Sequence, residues 1–163
     1  KKLNFPRICL PIITVMNAGV NFSIIFGLFL AFLLVSGNFP GWAFLGVLPL
    51  LLIQILFSIG LGIVLGVLNV FFRDVGQLFG IVLQFWFWFT PIVYTVSTVP
   101  EGVQGLLKFN PMTALMAAYQ GVFVSGAWPQ WSGLWVVTLL SVALCVIGLQ
   151  LFRRHAGEMV DEL

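Results

Sequence analysis

The sequence predicts an all-α membrane protein, a bundle of helices that crosses the bilayer several times. Hydrophobic residues make up 61% of the 163 residues and charged residues only 7%, whereas a soluble domain carries about 25% charged residues. Three long stretches, residues 8–72, 75–100 and 109–152, contain no charged residue, and a spanning helix needs roughly 20 apolar residues. The alternating pattern of transmembrane β-strands is missing from the sequence. An all-α bundle follows.

The charge-free stretches predict four spans. The loop GNFPGW (37–42) concentrates turn-forming residues and separates the first span from the second. Pro49 falls in the first turns of the second span, where a missing N–H costs least. The spans are expected at about residues 11–36, 44–72, 75–97 and 131–152, and a polar tail follows at 153–163.

The distribution of Lys and Arg predicts the orientation. With four spans, both ends of the chain lie on one side of the membrane, and Lys108 is the one basic residue on the other side. The positive-inside rule therefore places both ends in the cytoplasm. The chain begins without a methionine, and we interpret it as a fragment of a longer protein. The basic residues on the cytoplasmic side are Lys1, Lys2, Arg7, Arg73, Arg153 and Arg154.

The segment 101–126, between the third and fourth spans, is neither a plain loop nor a span. Asn110 followed by Pro111 is a strong helix start, an N-cap with proline at the first helical position. Gly126 and Pro129 end that helix, which would be about 21 Å long, shorter than the ~30 Å hydrocarbon layer. An interfacial helix, a re-entrant helix and a short surface cap all remain open.

The predicted spans contain no ionisable residue well inside the membrane. Ion-coupled carriers bind their coupling ion through such residues, and intramembrane proteases need buried acids or a base beside a serine. The one histidine, His155, lies in the tail. The sequence therefore disfavours an intramembrane enzyme and an ion-coupled carrier. If the protein transports a substrate, the energy is expected to come from elsewhere.

Arg73 and Asp74 form a charged turn between the second and third spans. Asp74 with Gln77 resembles a capping box at the start of a helix, and Arg73 complements the C-terminus of the preceding helix. A structural turn explains the pair, and a contact site for a cytoplasmic partner remains the alternative.

Five consecutive aromatic residues, Phe85 to Phe89, precede Pro91. Trp86 and Trp88 would lie about 16–20 Å along the third span, too deep for an interfacial belt, so each indole N–H needs a partner. Pro91 should leave the carbonyl of Phe87 unpaired and kink the helix. These features suit a lined path for sugars, whose C–H faces stack on aromatic rings. Helix packing with lipid contact is the other interpretation.

Several motifs together resemble the membrane-spanning subunits of ABC-2-type exporters of bacterial cell-surface polysaccharides such as O-antigen, capsule and teichoic acid. The opening KKLNFPR resembles the cytoplasmic segment before the third span in that family. The other motifs are NVFFRDV (69–75), FTPIVY (89–94), FNP (109–111), AYQG (118–121) and the tail FRRHAGEMVDEL (152–163).

The resemblance implies a six-span subunit, of which this chain holds the last four spans, working as a homodimer in the bacterial inner membrane. It pairs with ATP-binding subunits that carry the ATP and its magnesium, so this chain is not an enzyme and binds no cofactor, metal or nucleic acid. Its substrate is a lipid-linked glycan. The residues implied are Lys1, Lys2, Arg7, Arg73 and Asp74 for coupling, Asn110, Pro111, Tyr119 and Gln120 for an outer gate over 101–126, and Phe85, Trp86, Trp88, Phe89 and Tyr94 for the path.

The chain departs from the family pattern at two positions. Gln120 stands where members often carry a basic residue, and Met159 stands where an aromatic residue is common. Two rival hypotheses remain. One is a related exporter of a smaller hydrophobic compound or glycolipid, and the other is a membrane scaffold that transports nothing.

Overall fold

A computed structural model describes residues 9–37, 39–107 and 109–155. All regular structure in these ranges is helical, which confirms the predicted class. The chain divides into two compact units, the first ending at Phe39 and the second beginning at Pro40. Lys1, Lys2 and Arg7, three of the predicted coupling residues, lie outside the described residues.

The first unit contains a single described helix, α1, Cys9–Val35. It carries no acidic residue in its first turn and no basic residue in its last turn. Its portion Asn17–Val35 is long and apolar enough to cross a membrane. After the helix the chain turns at Gly37, which has a φ of +69° that glycine adopts without strain.

The described residues of the second unit form five α-helices and three short 3₁₀ helices. The 3₁₀ helices lie at Gly41–Gly46, Val96–Thr98 and Trp131–Gly133. The α-helices are α2 Val47–Phe71, α3 Asp74–Phe89, α4 Glu101–Leu107, α5 Pro111–Ser125 and α6 Trp135–His155.

Helices α2 and α6 form the main contact of the second unit, and two glycines permit their close approach. A Cβ atom at Gly60 would lie 2.7 Å from the backbone nitrogen of Cys145, and one at Gly148 would lie 3.1 Å from the side chain of Ile63. The fully buried side chains include Leu50 of α2 and Val137 of α6. Both helices meet the length and composition of a membrane span.

Helix α5 also contributes to this core. Its side chains Leu115 and Val122 are fully buried, and the helix contacts α2, α6 and the 3₁₀ helix before α2. The predicted start and end of α5 are confirmed: the Asn110 side chain accepts a hydrogen bond from the N–H of Met112, and Gly126 ends the helix with a φ of +60°. These local signals lie in the sequence itself.

The third predicted span is shorter as a helix than expected. We predicted a kinked helix over about 75–97, but α3 ends at Phe89 and Thr90 is extended, with φ −98° and ψ 129°. Pro91 explains this end, because it has no N–H and disfavours helical geometry at the residue before it. The 16 residues of α3 cover about 24 Å. In the described residues, three helices have the length and composition of spans, and α3 is not one of them. The predicted third span, and with it the count of four spans, stays a prediction.

Candidate functional site

The end of α3 is the first feature of the candidate site. The last four carbonyls of an α-helix lack partners within the helix and are costly to leave unpaired away from water. Here every one of the four accepts a hydrogen bond. Trp86 O accepts from Thr90 Oγ1 at 2.8 Å, Phe87 O from Thr90 N at 3.3 Å, Trp88 O from the Tyr94 hydroxyl at 3.0 Å, and Phe89 O from Asn110 Nδ2 at 3.4 Å. The prediction that the carbonyl of Phe87 is unpaired was therefore wrong.

The side-chain amide of Asn110 joins this end to α5. Its Oδ1 accepts from the indole Nε1 of Trp86 at 2.9 Å and from the N–H of Met112 at 3.0 Å. Its Nδ2 donates to Thr90 Oγ1 at 3.0 Å as well as to the Phe89 carbonyl. The partner that the Trp86 indole requires is thus Asn110, which lies 24 residues further along the chain.

Gln120 makes a second connection between α5 and the segment after α3. Its Nε2 donates to the carbonyl of Pro91 at 2.9 Å and to that of Tyr94 at 3.4 Å. Both carbonyls lie just beyond the C-terminus of α3, where the helix dipole concentrates negative partial charge. A side chain that donates hydrogen bonds is therefore favourable at position 120, beside these carbonyls.

An open apolar groove lies between α3 and the start of α5, with a volume of about 330 Å³. On the α3 side its residues lie at helical spacing, so that they share one face. The Trp86 ring also packs edge-on against Phe57 of α2, with centroids 6.2 Å apart and planes at 85°. The groove is lined by Val82, Phe85, Trp86, Phe89, Asn110 and Pro111.

The groove brings together five of the residues predicted from sequence, three for the path and two for the gate. Trp88 does not line it, and this side chain is 69% exposed. Tyr94 does not line it either, because its hydroxyl caps the Trp88 carbonyl. The residues brought together are Phe85, Trp86, Phe89, Asn110 and Pro111.

Tyr119 of α5 points to α2 rather than to the groove. Its hydroxyl donates to Oε1 of Gln54 at 2.9 Å, and burial raises the pKa of the phenol, so it stays protonated as a donor. It also stacks on Phe123, with centroids 6.4 Å apart. Tyr119 therefore anchors α5 to α2.

Sequence reasoning missed Thr90, Gln54 and Thr113. Thr90 is 4% exposed, and its hydroxyl and N–H together bond three groups around the end of α3. Its signal was available, since a threonine one residue before a proline can return its hydroxyl to the carbonyl four residues back. Thr113 Oγ1 is buried without a hydrogen-bond partner among the described residues. Nothing in the sequence singles it out.

The charged turn between α2 and α3 differs from the predicted capping box. Asp74 is the first residue of α3, Arg73 precedes it, and no side-chain cap is made there. Instead, Asn69 Oδ1 accepts from the N–H of Gly76 at 2.8 Å and takes the role expected of Asp74. Asp74 and Arg73 are both exposed and available to a partner.

The C-terminus of α6 lies at the same end of the second unit as this turn. The rings of His155 and Phe71 contact each other edge-on, with centroids 5.3 Å apart. Arg153 and Arg154 precede His155 in the last turn of α6. Basic residues of the α2–α3 turn and of the last turn of α6 therefore lie at the same end of the second unit. In the described part of the chain, no group of His, Cys, Asp and Glu side chains could hold a metal ion.

The chain resembles known membrane proteins over nearly its whole length. Residues 1–124 match the ABC-2 type transporter family. The "O-antigen export system permease protein RfbA" of Klebsiella pneumoniae is 28% identical over 155 residues, which cover 94% of this chain and 60% of the relative. The protein of the same name from Myxococcus xanthus is 30% identical over 164 positions, 99% of this chain and 63% of the relative.

The chain thus spans under two thirds of the length of these relatives. The family match covers most of the chain and includes α1 to α3 together with the described part of the α4–α5 segment up to residue 124. The chain belongs to the ABC-2 type transporter family and is related to O-antigen export permeases.

Proposed function

We propose that this chain is part of the membrane-spanning subunit of an ATP-driven exporter that moves lipid-linked cell-surface polysaccharide across a bacterial inner membrane. The family match and the O-antigen export relatives support the transporter class. The groove between α3 and α5 is the observation that supports the substrate class, because its aromatic residues provide faces on which sugar rings stack.

The polar groups of the groove are already engaged within the protein. The indole N–H of Trp86 and all four hydrogen-bonding positions of the Asn110 amide have protein partners. The groove therefore offers aromatic and apolar contact without fixed hydrogen-bond readout. Such contact tolerates different sugars, and a polymer can slide along it because no strong bond holds each unit.

In this proposal the ATP-binding subunits contact the cytoplasmic side of the protein. Arg73 and Asp74 are exposed at the end where Arg153 and Arg154 also lie, which supports placing that end in the cytoplasm. ATP-driven closure of the partner pair would push on the α2–α3 turn. Helix α3 would carry the movement about 18 Å, from Asp74 to Trp86. A homodimer supplies two such helices around one path.

A second candidate is an exporter of a smaller hydrophobic compound or glycolipid. The same observation favours it, because an apolar groove whose polar atoms are engaged also suits an acyl or isoprenoid chain. Substrate profiling separates the two candidates, because deletion of a polysaccharide exporter should cause lipid-linked polymer to accumulate inside the cell.

Co-purification tests the transporter proposal. The full-length protein is tagged in its native membrane, extracted gently, and its partners are identified. We expect a stoichiometric ATP-binding subunit. A homo-oligomer without any nucleotide-binding partner, also when extracted in lipid nanodiscs, would contradict the proposal and favour a scaffold.

A further inference from the structure

Helix α5 is attached to the end of α3 at two separate points. Asn110 bonds Trp86, Phe89 and Thr90 at the start of α5. Gln120 bonds the carbonyl of Pro91 ten residues later, which is about 15 Å along a helix. Two attachment points this far apart fix both the position and the direction of α5 relative to the segment 86–94.

The bonds of Asn110 go beyond those of a helix cap. An asparagine amide has two donor N–H groups and two acceptor lone pairs, and here each is used: two acceptor bonds, from Trp86 and Met112, and two donor bonds, to Thr90 and Phe89. Capping α5 requires only the bond from Met112, which Asp, Ser or Thr would also accept. The other three bonds reach back 20 to 24 residues.

The part of this site around Thr90 is shielded, whereas the bond to the Phe89 carbonyl is exposed. Thr90 is 4% exposed and Pro91 is fully buried, so water cannot replace a lost partner without structural change. An acceptor left unpaired in such a place costs more than the net value of the bond. Breaking the attachment at Asn110 would therefore deprive the shielded Thr90 hydroxyl of the N–H that it accepts from Asn110.

We propose that Asn110 is a positioning residue that latches α5 to the aromatic end of α3, so that residues 86–94 and α5 move as one body. The groove between Phe89 and Pro111 then keeps its width, and an opening of the path comes from movement of this body against the rest of the assembly. A swing of α5 away from α3 is excluded by the latch. The inference rests on the proposed function only where it calls this movement a transport step.

Hydrogen exchange of the purified full-length protein in lipid nanodiscs tests the latch without substrate or ATP-binding subunit. Asn110→Ala removes all four side-chain bonds. We expect exchange to accelerate by at least about five-fold, the factor corresponding to one net hydrogen bond, in the segment 87–94 and in the first turns of α5. Acceleration in α5 alone would mean that Asn110 is only a helix cap, and would overturn the proposal.

Asn110→Asp separates the two roles, because it retains the acceptors for Trp86 and Met112 and loses the donors to Thr90 and Phe89. We expect the start of α5 to stay protected while the segment 87–94 exchanges faster. Wild-type exchange in both segments would overturn the proposal. Trp86→Phe removes the indole N–H, and combining it with Asn110→Ala should add less than the two single effects together. Full additivity would also count against the latch.

Trp135→Phe is the matched control, since it removes an indole N–H from an exposed side chain of α6. It should leave both segments unchanged. ATP-dependent export by the same variants is measured separately. If Asn110→Ala accelerates exchange in both segments but export is unaltered, the latch stands and has no role in transport. If the variant does not accelerate exchange in both segments, the latch itself is refuted.

Discussion

Gln120→Glu is the sharpest test of how α5 is held. The side chain of glutamate has nearly the same shape, but an ionised carboxylate accepts hydrogen bonds and donates none. At position 120 it would face the carbonyl oxygens of Pro91 and Tyr94, which now accept from Nε2 at 2.9 and 3.4 Å. It would also place negative charge beside the C-terminus of α3, where the helix dipole is already negative.

The size of the effect follows from these contacts. Removing the donor leaves at least one shielded carbonyl unpaired, which costs about 1–3 kcal/mol. At about 2–4 °C per kcal/mol for a protein of this size, the thermal midpoint should fall by roughly 2–12 °C. Gln120→Lys retains donor groups and adds a charge that the dipole favours, so its midpoint should stay nearer to that of the wild type.

The assay is thermal unfolding of the full-length protein in a fixed lipid environment. Gln77→Glu is the matched control, because Gln77 is exposed in the first turn of α3, where an acidic residue is favourable. We expect no loss of stability there. A Gln120→Glu midpoint equal to that of the wild type would refute the attachment of α5 through this side chain.

Three further changes test packing, path and coupling. Gly60→Ala should lower the thermal midpoint, because its Cβ would lie 2.7 Å from the backbone of Cys145 and overpacking costs about 1–3 kcal/mol. Gly62→Ala is the control and should not lower the midpoint, because a Cβ there faces open space. Equal midpoints of the two variants would contradict the close approach of α2 and α6. Phe85→Leu should leave the midpoint unchanged, since the ring is 71% exposed, and should reduce export, since the ring lines the groove; unchanged surface polysaccharide would remove the groove from the path. Asp74→Ala should fold normally, because Asp74 makes no cap, and should lower transport-coupled ATPase activity; a loss of expression alone would favour a structural role.

The sequence predicted those features that depend on local signals. Asn110 followed by Pro111 marks the start of α5, and Gly126 marks its end, because caps act within a few residues. The need of the Trp86 indole for a partner was also predictable. Its identity was not, since Asn110 lies 24 residues away and such a contact depends on the tertiary arrangement.

The end of α3 and the charged turn show where local reasoning failed. Pro91 was expected to kink the helix and to leave the carbonyl of Phe87 unpaired. Instead the helix ends before Pro91, and Thr90 and Tyr94 donate to the carbonyls at its end. At the turn, Asp74 matched the capping pattern, but Asn69 reaches the free N–H across the turn. At the end of α3 the proline itself ends the helix, whereas at the turn a side chain outside the capping motif binds the free N–H.

The roles of Lys1, Lys2 and Arg7 in coupling, the span count and the homodimer remain predictions. Each depends on parts of the protein beyond the described residues or on a second copy of the chain. Deleting the basic residues of 1–7 in the full-length protein, with insertion checked separately, would address the first of these.

The most direct measurement is ATP-dependent movement of a lipid-linked polysaccharide in proteoliposomes. They contain the full-length protein and the ATP-binding subunit that purifies with it. We expect the polymer to become protected inside vesicles only when ATP is hydrolysed, and we expect Phe85→Leu, which alters the lining of the groove, to slow this protection while leaving assembly intact. Hydrolysis without polymer movement, with a smaller apolar compound carried instead, would contradict the polysaccharide assignment.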